Sequence, residues 1–230
     1  AYDDIEARLN SVKNELDTLR SEITGTLNII TSHHISLHRM PPSLKKFCDL
    51  HPNVSLNISF SDSEIAYQKI ASGEADFGVV TLAPKAVDKM SQILLWNDPL
   101  AFMAAPDHSL SKGNQTIENL ASTQAVLPGI GTYTGQLVKA LFDAKGLPLS
   151  ANMETTYLET IKMMVSVGLG WTMLPKSMLD DSVQEIEIEG ITLARQLGII
   201  HRESYQATPA AIAFFNLLKE NSHGVNTMAK

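Results

Sequence analysis

The spacing of apolar positions changes several times along the chain, and each change marks a different element. Ile5, Leu9, Val12, Leu16, Leu19 and Ile23 recur at alternating intervals of 4 and 3 with charged residues between them, the a/d seam of a coiled coil. So narrow a stripe suits a partner helix better than a broad core face, although an amphipathic helix lying on its own domain shares the spacing. Gly25 closes this helix. Three β-branched runs follow, Gly25–Thr31, Pro52–Phe60 and Gly73–Thr81. They predict strands near 26–31, 54–60 and 76–80, separated by helices near 40–50 and 63–72. Strand-helix-strand-helix-strand is the pattern of a parallel sheet, whose right-handed crossovers put both helix amino termini at the carboxyl edge of the strands.

The second half repeats the alternation. A strand Leu100–Ala105 after Trp96-Asn-Asp-Pro99 leads into the turn Pro106-Asp-His-Ser. The pattern then predicts a short helix after Thr116, a strand at 124–128, a helix over about 135–145 closed by Gly146, a strand near 152–156 and a helix near 157–167. Val167-Gly-Leu-Gly-Trp-Thr-Met-Leu-Pro175 reads as a glycine-tight turn into a buried strand. Ile186, Ile188, Leu193, Leu197, Ile199 and Ile200 fall in extended segments. A last helix begins at Thr208-Pro209, with Thr as cap and Pro in the first helical position. The segment 221–230 has no apolar period and is expected to fray.

Composition narrows the function classes. With 44% hydrophobic and 19% charged residues in 230, the chain is an ordinary globular sequence. A formal charge of -7, from 25 acidic against 18 basic side chains, argues against gripping a phosphate backbone over a broad face. Cys48 is the only cysteine, so no intramolecular disulfide forms. The charged start Ala1-Tyr-Asp-Asp-Ile-Glu is unlike a secretory signal and no run suits a membrane span, so a cytoplasmic location is expected. No G-x-S-x-G, H-E-x-x-H or C-x-x-C motif is present, and no enzymatic role or cofactor is expected.

The order of motifs resembles the effector-binding domain of LysR-type transcriptional regulators. A strand after Gly25, a Pro-rooted helix with Leu44-x-x-Phe47, the Pro52-x-Val54 strand and Gly73-x-x-Asp76-x-x-Val79 come first. Gly168-x-Gly170, Leu174-Pro175 and Gly198-Ile-Ile-His-Arg-Glu before Thr208-Pro-Ala follow, so the likeness spans about 1–220. It implies an α/β fold of two Rossmann-like lobes, of the periplasmic-binding-protein type II kind, preceded by a linker helix. The implied divisions are a dimerising linker at 1–24, lobe I at 25–96 and 200–222, lobe II at 97–199, and a flexible tail at 223–230. Crossing segments are expected near 94–99 and 193–201. The family's winged helix-turn-helix is absent, so contact with DNA and RNA polymerase belongs to a longer protein. The implied function is sensing a small, preferentially anionic metabolite between the lobes, in a homodimer or homotetramer. A solute-binding protein of a transporter is the alternative on the same fold.

Candidate site residues are hydroxyls and imidazoles at helix starts, where unpaired amides and the helix dipole favour anions. Thr31, Ser32, His33 and His34 follow the first strand, and Thr81 ends the third. The loop Pro128–Gly135 offers Gly129, Thr132 and Thr134. The resemblance assigns effector contacts to the first loop, to Thr132 and Thr134, and to Thr156 or Tyr157. Ser61 and Glu64 have capping-box spacing, as do Thr156 and Glu159, and Ser61 is also a cleft candidate. His201 completes the set, with an edge-strand role equally open. His33, His34 and His38 invite a metal reading, but adjacent histidines diverge and no neighbouring carboxylate completes a shell, so no metal is assigned. The methionines and Cys48 read as packing residues and an inert thiol rather than redox sensors.

Overall fold

A computed structural model of the chain describes residues 23–227. The proposed coiled-coil helix lies, but for Ile23 and its closing residues, outside these described residues. Lobe I is built on β1 (Gly25–Thr31), β2 (Val54–Phe60) and β3 (Phe77–Thr81), which run parallel in the order β2-β1-β3. Every residue of β3 is buried, which is why its apolar run shows no alternation. Helices α2 (Pro41–Leu50) and α3 (Ser63–Ser72) connect these strands, close to their predicted bounds. The core of the lobe packs Phe77 edge-on to Phe215 at 4.7 Å, and Phe47 edge-on to Phe214 at 5.2 Å.

Two long strands carry the chain between lobes. β4 (Met90–Ala104) and β9 (Leu193–Arg202) pair antiparallel, and β9 also pairs with β3 while β4 pairs with β7 (Trp171–Pro175). The sheet therefore continues as β2-β1-β3-β9-β4-β7-β5-β6, with β5 (Ala125–Leu127) and β6 (Ala151–Glu154) in lobe II and β8 (Gln184–Ile186) attached to β4. The expected break before Leu100 does not occur. Asn97, Asp98 and Pro99 have turn composition, yet the ladder with β9 holds them extended. Lobe II is covered by α4 (Ile117–Ala121), α5 (Tyr133–Ala144) and α6 (Leu158–Ser166). Trp171 anchors it, stacked on Phe142 at 5.7 Å, with its indole N–H donating to the Leu120 and Thr123 carbonyls.

Three local expectations change. Residues His33–His38 form a short helix, α1, in place of a loop. Neither capping box forms: Asp62 and Tyr157 occupy the N-cap positions, and Glu64 and Glu159 turn elsewhere. The last helix, α7 (Pro209–Thr227), runs well past residue 221, although the cap at its start is as expected, with Thr208 Oγ1 accepting from the Ala211 amide. Among the described residues no helix is long and apolar enough to cross a membrane.

Candidate functional site

A cavity of about 120 Å³ opens between the lobes where the carboxyl ends of the strands meet the helix starts. Lobe I contributes Ser32, His33 and His34, then Phe60–Glu64 and Thr81; lobe II contributes Pro128, Thr132–Thr134 and Thr156–Leu158. Arg195, from the crossing strand β9, completes the lining. Nine of the sequence candidates are thus brought together from five segments: Ser32, His33, His34, Ser61, Thr81, Thr132, Thr134, Thr156 and Tyr157.

The remaining candidates are placed elsewhere. Thr31 is fully buried and donates its hydroxyl to the Val79 carbonyl at 2.7 Å, a strand-to-strand tie. Gly129 lends its carbonyl to the Thr132 amide and hydroxyl and stays outside the lining, where Pro128 stands instead. His201 binds the Arg202 carbonyl at 2.8 Å through Nδ1 and stacks on Phe215, so it is a packing residue of lobe I.

Thr132 caps α5, its Oγ1 accepting from the Gly135 amide at 3.0 Å. The two helices that open on the cleft are then served across it by lobe I. Glu64 accepts the Tyr133 amide at the start of α5, and Glu159 at the start of α6 receives His34 Nδ1 at 3.3 Å and His38 Nε2 at 3.0 Å. His33 meets Tyr157 edge-on at 5.3 Å. Burial pushes the Glu64 carboxyl up, an effect only partly offset by its hydrogen bonds from backbone amides. Burial also pushes Glu159 up, but its own backbone amide and the His38 and His34 hydrogen bonds outweigh it and leave the carboxyl below its ordinary value. His34 is lowered to about 4, first by burial and then by the Arg195 charge, so its imidazole is neutral near pH 7.

Arg195 is the one buried cation of the lining, only 8% exposed. Its Nε donates to Asp98 Oδ2 at 2.8 Å and Nη1 to Thr134 Oγ1 at 3.1 Å, while Asp98 Oδ1 accepts from Arg39 at 2.9 Å. Arg195 Nη2 is buried without a protein partner. A guanidinium oriented on two sides with its third nitrogen unpartnered has the chemistry to pair with a carboxylate or phosphate oxygen. The sequence does carry a signal for this group: Arg195 and Asp98 occupy inward positions of alternating strands, Leu193-x-Arg195-x-Leu197 and Trp96-x-Asp98-x-Leu100. An inward charge in such a pattern is either paired or functional.

Two α/β lobes joined by crossing strands, with polar groups converging on a small cleft, define a small-molecule-binding domain. The chain belongs to the LysR substrate binding domain family, whose profile matches residues 20–222. Among curated relatives, the RuBisCO operon transcriptional regulator of Allochromatium vinosum is 24% identical over 213 residues, covering 90% of this chain and 70% of the relative. The HTH-type transcriptional regulator CysB of Haemophilus influenzae is 29% identical over 149 residues, or 64% of this chain and 46% of that one. The fold matches the regulatory domain of Synechocystis CcmR in complex with 2-PG at a TM-score of 0.77 and 19% identity, covering 86% of this chain and 98% of that domain. It matches the effector binding domain of QuiR in complex with shikimate at 0.77 and 14%, covering 88% and 99%. These similarities give the chain the type II periplasmic-binding fold and the effector-binding role of LysR-type regulators, not that of a transporter's solute receptor.

Proposed function

We propose that the inter-lobe cavity binds a small organic anion and that closure on it sets the arrangement of the regulator's subunits on DNA. The observation that carries this reading is the buried, unpartnered Nη2 of Arg195 in a cavity lined by the hydroxyls of Ser32 and Thr134. An oxyanion there completes the guanidinium and takes hydroxyl donors from both lobes, so it favours the closed arrangement. Glu64 and Asp62 on the same wall prefer a donor, which points to an acid that also carries a hydroxyl or amine. A volume of about 120 Å³ suits a small ligand, since a cavity of about 150 Å³ holds one benzene. The shikimate and 2-PG complexes of the structural neighbours support a small organic acid as the class of ligand. Binding alone performs the task, with no chemistry on the ligand, in a cytoplasmic dimer or tetramer.

A thermal-shift screen of small hydroxy acids, amino acids, sulfate and phosphate tests the site. A ligand at 100 times its Kd stabilises by about 2.7 kcal/mol. A hit is expected to lose its shift when Ser32 and Thr134 are both replaced by Ala. A shift that survives the double substitution places the site elsewhere.

A further inference from the structure

Helix α1 sets His34 and His38 one turn apart on one face, as i and i+4 residues are. The fold then brings a carboxylate to them that is 121 residues from His38 in sequence, Glu159 at the start of α6. Its Oε1 stands 3.3 Å from His34 Nδ1 and 3.0 Å from His38 Nε2, and donor atoms of the three residues lie within 4.8 Å of one another. Two ligands held at ~2.0–2.1 Å from one tetrahedral ion are about 3.3 Å apart. Both distances to Oε1 suit a shared ion as well as they suit hydrogen bonds.

Hydrogen bonding alone leaves the group incompletely satisfied. His34 Nε2 is buried without a partner in a residue only 4% exposed, as a lone pair when the proton sits on Nδ1 or as an N–H when Nδ1 is free to ligate an ion. Glu159 Oε2 is likewise buried without a hydrogen bond, and His33 Nδ1 lies 3.7 Å from it. The charges facing His34 are Arg195 and His38 on the positive side, Glu159 and Asp98 on the negative. Asp98 is itself paired with Arg39 and Arg195, which tempers their repulsion of a cation.

We propose that His34, His38 and Glu159 form a site for a divalent transition-metal ion that ties lobe I to lobe II beside the anion cavity. Two imidazoles and one carboxylate suit zinc, nickel or copper(II) rather than magnesium or calcium. His33 or an oxygen of the bound anion is at hand for the open position. The sequence shows the histidines but not the whole set, because the completing carboxylate lies on the other lobe and has the spacing of a helix cap.

Cobalt(II) titrated into the untagged chain reads the site by its visible d–d bands. One ion per chain is expected, displaced by zinc and unaffected by magnesium. Substitutions His38→Ala and Glu159→Gln are each expected to weaken cobalt binding at least about tenfold, and His201→Ala to leave it unchanged. Circular dichroism in metal-free buffer checks that each variant folds; should His38→Ala not fold, Glu159→Gln at its partly exposed helix start carries the comparison. Absence of bands at millimolar cobalt, or bands unaltered in the folded variants, overturns the site. The anion screen in chelator is independent of this outcome, so either reading can fail while the other stands.

Discussion

Glu64 stands at the start of α3, where a carboxylate ordinarily turns back onto its own helix, and also accepts the Tyr133 amide of the opposite lobe. Crossing the cleft takes the carboxyl out of water, and burial raises its pKa above the ordinary 4.5. A raised folded-state value means that the native protein holds this proton more tightly than the unfolded chain does. The stability it contributes is therefore fully present below the unfolded value and is lost as pH rises through the folded one. Glu64→Gln keeps an acceptor for Tyr133 and removes the titration. The melting temperature of the native chain relative to Glu64→Gln is expected to be highest near ~pH 4 and to fall toward ~pH 7. A difference that stays flat across that range shows that the carboxyl is not held up. Side chains such as Ser32 and Thr134 are legible as cavity candidates because they stand at helix starts, whose free amides favour anions. Glu64 and Glu159 are not, because a cap and a cross-lobe contact share one spacing and only the fold selects between them.

Among elements, strands announced themselves through β-branched runs, and β2 was bounded by the sequence at the residues the fold uses. Helix α1 was hidden: its 6 residues are too few to display a period, and burial of His34 and Ile35 stabilises it where propensity does not. Short crossing segments are expected near 94–99 and 193–201, and tertiary pairing merges the first into a strand of 15 residues. At their crossing the register of β4 shifts between Leu94 and Trp96, directly against Gly198 of β9. A Cβ on Gly198 would stand 2.1 Å from the Ile93 carbonyl oxygen and 3.0 Å from Leu82 Cδ1. The first of these is backbone, which a rotamer change cannot relieve. Gly198→Ala is expected to destabilise the domain by about 1–3 kcal/mol, the usual cost of overpacking. Urea melts measure it, and a loss under about 0.5 kcal/mol, the scale of an ordinary surface change, shows that the crossing is free to spread.

At the scale of the molecule, every proposed ligand acts on the angle between lobes, and a change of angle matters only if something outside the cleft registers it. Coupling between a ligand and a distant arrangement is typically about 1–3 kcal/mol, and it is reciprocal. Subunit contacts must therefore differ between the open and closed forms for binding to be read out. The seam Ile5, Leu9, Val12, Leu16, Leu19 and Ile23 is the part of the sequence best suited to hold subunits together, since a two-in-seven stripe suits a partner helix better than a broad core face. Size-exclusion chromatography with light scattering is expected to show dimers or larger species of the 25.1 kDa chain. Replacing Leu9 and Leu16 with Lys puts two charges in the seam and is expected to shift the chain toward monomer without altering the melting of the lobes. A strict monomer of the unaltered chain at high concentration removes the seam as a dimer contact. Dimers that persist in the double variant move the interface onto the lobes, where closure of the cleft acts on it directly.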